Sequence, residues 1–210
     1  MGLVAGQVGA EERKPLGAHS GFMSEATYAS LQEFQSPSGL KVRRWIAPGA
    51  MLGQYEAVLL EPSVFYPVPQ STDQLSMATL KQIVAYLDEA LRRELQGVIR
   101  LADEPGPKTL RFRPAITAVA ARNEGLKAYQ LIPVAFILTR GQTTKRAALA
   151  VEYEVLDTAT NQLVAAGMRL GEGKELKTMK DTLTLEQMKP AIDAWARDAR
   201  TFLEQARGGK

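Results

Sequence analysis

At 210 residues, with 45% hydrophobic and 23% charged side chains, the chain has the make-up of one globular domain plus a tail, not of a disordered polymer. Its formal net charge of +3 is too small to imply nucleic acid, and the absence of cysteine excludes disulfides, thiol nucleophiles and thiolate metal sites. The longest apolar run, Leu131 to Leu138 with Pro133 inside it, falls far short of the ~20 residues that a spanning helix needs.

Residues 1–20 read as a tail, in which Gly2, Gly6, Gly9 and Gly17 alternate with small residues and a charged run, Glu11 to Lys14, with no period. Met1 is not followed by a charged region and an apolar run, so no signal peptide is visible. Residues 21–54 read as an irregular arm, turned at Ser36-Pro37-Ser38-Gly39 and Ala47-Pro48-Gly49 and pinned by Phe22, Phe34, Trp45 and Ile46. Ala57-Val58-Leu59-Leu60, ended by Pro62, is a short buried strand. Ser71 and Gln74 then offer a capping box for a helix with the stripe Leu80, Ile83/Val84, Leu87, Leu91, Leu95, and Gly97 is its stop. Strands follow at 98–102 and 109–120, separated by the turn Glu104-Pro105-Gly106-Pro107.

Beyond an apolar stretch from Leu126 to Arg140, whose secondary structure the pattern does not define, alternation resumes in Leu149, Val151, Tyr153 and Val155. A turn over 157–162 leads to its hairpin partner, 163–170, and Gly171-Glu172-Gly173 reads as a further turn. Met188, Ile192, Trp195, Ala199, Phe202 and Ala206 make the stripe of a final helix, with Pro190 expected in its first turn. The expected fold is α/β (α+β): about five strands in a mixed sheet, with two long amphipathic helices packed on one face. The single domain spans 21–206, between the tail 1–20 and a short tail 207–210.

Several segments together resemble a bacterial family of lipoproteins known only as a domain of unknown function. They are Ser20-Gly21-Phe22-Met23, Tyr55 through Pro62, Asp103 through Pro107 with Leu110 through Arg113, the hairpin Val155–Thr160 with Leu163–Ala166, and Ala194-Trp195-Ala196. The resemblance spans about residues 19–206. It implies export and an N-terminal lipid anchor on the periplasmic side of the inner or outer membrane of a Gram-negative cell. It supplies no reaction, cofactor or catalytic residue. The anchoring cysteine and export signal are not in this sequence, so the chain is read as a form without its anchor, with the glycine-rich tail as its tether. In element order the chain is also similar to envelope-assembly domains, which is an analogy of architecture.

Catalytic chemistry finds little to build on. His19, the lone histidine, lies beside Ser20 in the tail-like region, where no third group or oxyanion site is held rigidly. One histidine and no cysteine make a zinc or copper site improbable. Glu152 and Glu154 share one strand face, ~7 Å apart by strand rise, a spacing compatible with carboxylate hydrolysis. Cross-strand pairing with Arg111 and Arg113 explains them without catalysis. Gly167, Gly171 and Gly173 do not form a phosphate loop, because no lysine–serine pair follows.

Charge is unevenly spread: Lys108 to Arg146 contains eight Lys/Arg against the single acid Glu124. The candidate interaction surface is therefore Arg122, Lys127, Leu131, Phe136, Arg140, Lys145 and Arg146, an apolar segment edged by cations. The first expectation is a non-enzymatic envelope lipoprotein domain that binds or helps assemble another envelope protein, with no cofactor and no nucleic acid. The alternative is a carrier or sensor of an anionic ligand, a lipid head group or a glycan, and the third is a carboxylate-dependent hydrolase. A closed apolar pocket would favour the second reading, a flat apolar patch the first, and two inward carboxylates in a cleft the third.

Overall fold

The computed structural model describes residues 19–123, 145–178 and 180–208. The elements run α1 (Glu25–Ser30), β1 (Gln32–Gln35), β2 (Lys41–Ile46), a 3-10 turn (Leu52–Gln54), β3 (Ala57–Leu60) and β4 (Val64–Phe65). They continue with α2 (Met77–Leu95), β5 (Arg100–Ala102), β6 (Thr109–Asn123), β7 (Lys145–Asp157), β8 (Leu163–Leu176) and α3 (Leu185–Gly208). The mixed α+β class is as expected, but the sheet has eight strands among the described residues, not five, in the order β1-β2-β8-β7-β6-β3-β5 with β4 paired to β6. The parallel pairs are β3 with β5, and both β3 and β4 with β6; the rest are antiparallel.

The three unexpected strands have one physical origin: they lack a buried alternating face. β1 is exposed at all four positions and β2 is only half-buried, so their sequences, QEFQ and KVRRWI, carry polar side chains where a core strand would carry apolar ones. Charges on an edge hairpin also discourage pairing with another chain. β4 resumes the line of β3 along β6 after Pro62, whose missing N–H cannot serve a ladder.

Both long helices cover the same face. Leu80, Ile83, Leu87 and Leu91 of α2 and Met188, Ile192 and Trp195 of α3 are buried with Val58, Leu110, Ile116, Leu149 and Val151 of the sheet in one apolar cluster. The cap of α2 is Ser76, whose Oγ accepts from Thr79 N at 3.1 Å, and not Ser71. Leu75 and Leu80, at N′ and N4, are both buried, the pairing of a hydrophobic staple, so the start is fixed where an apolar plug precedes a cap. Thr72 instead holds a turn, accepting from Gln74 N and Leu75 N. α2 ends with Gln96 as its C-cap, one residue before Gly97. α3 begins at Leu185, with Gln187 Oε1 accepting from Thr184 N, so Pro190 falls in the second turn and not the first.

Gly171 and Gly173 are strand residues, not a turn. With Gly167 they share the helix-side parity of β8, and a Cβ on Gly173 would stand 2.0 Å from the Gln187 carbonyl oxygen. The absent side chains of Gly171 and Gly173 let α3 lie against β8. The opposite face carries a smaller cluster of Met23, Tyr28, Leu31 and Ala166, covered by α1. Among the described residues no helix is long and apolar enough to cross a membrane.

Candidate functional site: an apolar cavity with a guanidinium at one end

α3 does not close completely on the sheet. Between them lies a cavity of about 110 Å³. Sheet order explains its polarity. Arg44 comes from β2 and Arg169 from the neighbouring β8, whereas Tyr153 and Val155 (β7), Leu110 and Phe112 (β6) and Val58 (β3) line the rest of the floor. Charge is thus confined to two strands, and three strand spacings, ~14 Å, separate β8 from the apolar end at β3. Trp195 forms the roof with Ala199, Phe202 and Leu203. Its ring centroid lies 6.2 Å from Phe112 and 6.4 Å from Tyr153, and Phe112 and Tyr153 are 5.6 Å apart, so three aromatic rings pack in one group. Tyr153 lies over Gly167, where a Cβ would come within 2.6 Å of the phenol oxygen. Burial pushes the Tyr153 phenol up, against the pull of Arg44 and Arg169.

The charged end is built from three elements. Arg169 Nη1 donates to Asp198 Oδ2 on α3. Ser38, in the turn between β1 and β2, donates its N–H to Oδ1 at 2.9 Å and its hydroxyl to Oδ2 at 2.6 Å. Arg169 and Asp198 are 4% and 8% exposed. Burial draws the Arg169 pKa down while Asp198 pulls it back up. Arg169 Nε and Nη2, both buried, have no hydrogen-bond partner among the described residues, nor has Arg44 Nε. The Arg44 guanidinium sits between two rings, 4.4 Å from Phe34 and 4.9 Å from Phe202.

The other candidates sit elsewhere. Glu152 and Glu154 are on the opposite face. Glu152, 2% exposed, accepts from Tyr28 OH at 2.6 Å, and that phenol oxygen accepts from Gly21 N and Met23 N. Burial, then the hydrogen bond to Glu152, pushes the Tyr28 pKa up to about 12. Glu154 pairs across the ladder with Arg113 at 2.9 Å, as the cross-strand reading expected, and burial lifts its carboxyl despite that cation. Arg111 pairs with Glu61 at 3.5 Å, not with Glu152. His19 stacks on Tyr28, centroids 4.0 Å apart, and so has a packing role in ordered chain rather than a place in a loose tail. Among the described residues no group of three or more His, Asp or Glu is arranged to hold a metal.

Of the expected basic surface, Lys127, Leu131, Phe136 and Arg140 lie outside the described residues. Arg122 stands opposite Arg146, and Lys145 opposite Asn123, in the β6–β7 ladder. Arg146 Nε lies 4.0 Å from Glu172. Lys108 pairs with Glu56 at 2.6 Å, so Lys108, Arg111, Arg113 and Arg146 are each held in an ion pair along the sheet. The cavity's cations, Arg44 and Arg169, come from outside the basic stretch. Sequence reasoning missed both: an arginine inside an apolar strand, as in Gly167-Met168-Arg169-Leu170, was the one local signal.

The model of the family described as "Protein of unknown function (DUF3313)" matches residues 18–199. The "Uncharacterized lipoprotein YdcL" of Escherichia coli (strain K12) is 33% identical over 189 residues, 88% of this chain and 84% of that protein. Among solved structures, protein XCC0632 from Xanthomonas campestris has a TM-score of 0.42 at 10% identity, covering 72% of this chain and 85% of its own. A minor lipoprotein from Acinetobacter baumannii has a TM-score of 0.40 at 14% identity, covering 73% and 94%. At that similarity nothing is transferred from the two structures to this chain.

Proposed function

We infer that this chain, which belongs to the DUF3313 family of proteins of unknown function, is a lipid-anchored, periplasm-facing domain of a Gram-negative envelope that works by binding and not by catalysis. The lipoprotein name of the 33% identical Escherichia coli relative supports the anchor. The observation that carries the binding role is the cavity: an apolar chamber under Trp195, with its charged groups gathered at one end. That is the shape of a site for an amphipathic ligand, so the carrier or sensor reading stands ahead of the others. The paired-carboxylate hydrolase has no support, because Glu152 is spent on Tyr28 and Glu154 on Arg113.

Trp195 makes the test direct. The chain has two tryptophans, and Trp45 lies on the opposite sheet face, so in Trp45→Phe the remaining indole reports on the cavity. Titration with the neutral probe N-phenyl-1-naphthylamine should give saturable energy transfer from Trp195. Ala199→Phe, which fills the chamber from α3, should weaken it at least ~tenfold, 1.4 kcal/mol. Unsaturable or absent transfer in the parent overturns the ligand-binding role.

An envelope-protein partner is the second reading. Val64, Tyr66, Val68 and Met77, between β3 and the first turn of α2, are 47%, 40%, 86% and 42% exposed, apolar surface that a partner could cover. Photo-crosslinking from position 68 in intact cells tests it, and the lack of any discrete adduct sinks it.

A further inference from the structure

We propose that the turn of residues 36–40, between β1 and β2, is a gate over the mouth of the cavity, latched shut by Asp198 of α3. The proposal rests on the binding role just inferred for what passes the gate, and it adds the route of entry.

Three observations point to it. The first is where the cavity meets solvent. Among its described lining residues Pro37 alone is exposed, and every other one is buried or half-buried. Trp195 in the roof is 4% exposed and Leu110 in the floor 3%. The way in from solvent therefore runs past Pro37, which with Ser36 forms the cavity wall at that point.

The second is how the turn is held. β1 is an edge strand paired with β2 alone, and the β2–β8 ladder begins at Val42, so the turn overhangs the sheet. Within it Ser36 N donates to the Leu40 carbonyl, Gly39 N to the Ser36 carbonyl, and Leu40 N to Ser36 Oγ. Among the described residues, only Ser38 bonds the turn to anything outside its own hairpin. Its N–H donates to Asp198 Oδ1 at 2.9 Å and its hydroxyl to Oδ2 at 2.6 Å. Gly39, with φ of +81°, has nothing within 4 Å of where a Cβ would stand, so no packing holds the turn at that position.

The third is that the latch releases without stranding a charge. Asp198 Oδ2 also accepts from Arg169 Nη1, so the carboxylate keeps its cation when the turn leaves. Opening then exchanges the two Ser38 bonds for bonds to water, a small net change. The base of the hairpin is clasped to α3 independently, because the Arg44 guanidinium lies between Phe34 and Phe202. The turn therefore swings about the last rung of the hairpin, Gln35 opposite Lys41, while β2 stays on the sheet.

The test uses Ser38→Ala in the Trp45→Phe background. Position 38 is exposed, so the variant removes the hydroxyl bond without disturbing the core. Losing one hydrogen bond should raise the open population about fivefold. Acrylamide quenching of Trp195, amide exchange at residue 38 and the association rate of N-phenyl-1-naphthylamine should each rise by about that factor. The dissociation rate of the probe should rise equally and leave its affinity within ~twofold, because a gate alters passage and not the closed complex. The increases should also be insensitive to urea below the unfolding transition, as a local opening is and a global one is not. A steep urea dependence would assign them to unfolding and overturn the gate. Weaker probe binding at an unchanged association rate would make the turn a fixed wall and overturn it too. Faster exchange at residue 38 with unaltered quenching and probe rates would mean that the turn moves without being the way in. Unchanged exchange overturns the latch. If the parent takes up no probe the binding role falls, while quenching and exchange still decide whether the turn opens over Trp195.

Discussion

The two faces of the sheet are covered in opposite ways. On one, a six-residue helix and the chain leading into it bury Tyr28 and Glu152, and the phenol accepts from two backbone amides while donating to the carboxylate. On the other, two helices of 19 and 24 residues bury most of the core, yet leave a cavity and a guanidinium with two idle donors. The small cover has a bonded phenol–carboxylate pair at its centre; the large one is apolar and incomplete. Buried polar groups that are fully bonded serve the fold, because each replaces a contact with water that was lost. A cavity beside unsatisfied donors lowers stability and persists where something else fills it. On the proposed reading, binding belongs to the helix face and the other face is structural.

The sharpest way to break that contrast is Trp195→Ala. The indole is 4% exposed and packs with Phe112 and Tyr153, so its loss should cost ~3–5 kcal/mol in urea denaturation. A cost under ~1 kcal/mol would mean that the helix face does not hold the fold together.

A smaller loss, ~1–3 kcal/mol at pH 8, is expected for Tyr28→Phe, which leaves Glu152 without its donor and two amides without their acceptor. It should also change the alkaline limb. The folded Tyr28 phenol has its pKa raised from 10.0 to about 12, so the folded state holds that proton more tightly than the unfolded chain. The corresponding stability is complete below pH ~10 and is lost as pH climbs through about 12. Tyr55, Tyr86 and Tyr153 are shifted the same way, so the variant should lose only part of the slope between pH 9 and 12. An unchanged slope would remove the phenol–carboxylate bond from the account of the α1 face.

Least affected should be Glu154→Gln. Arg113 is 42% exposed at its side chain, and burial already disfavours the Glu154 charge, so denaturation midpoints at pH 7 should agree within ~0.5–1 kcal/mol. A larger loss would put a necessary ion pair on the face assigned to α1.

How much of this was legible depended on the physical range of each signal. The stripes from Leu80 to Leu95 and from Met188 to Ala206, the strands at Ala57–Leu60 and Thr109 onward, and the hairpin turned by Asp157 are local patterns whose period states their burial. β1 and β2 were not legible, because an exposed edge strand needs no apolar alternation and is defined by its partner β8. The cap at Ser76 was hidden by a second serine at equal capping strength, Ser71, and only the burial of Leu75 chose between them.

The sequence by itself determined the class of fold, the two helices and their common face, the poverty of catalytic side chains and the family resemblance. All of these rest on residue types or on spacings within one element. Tertiary structure alone decided that Arg169, Asp198 and Ser38, on three separate elements, meet at one end of a cavity, and that Gly167, Gly171 and Gly173 make room for a ring and a helix. The reason is distance along the chain. Ser38 and Asp198 are 160 residues apart and Arg169 and Asp198 are 29 apart, and no periodicity within a strand or a helix encodes which side chains the packing of a sheet against a helix will bring together.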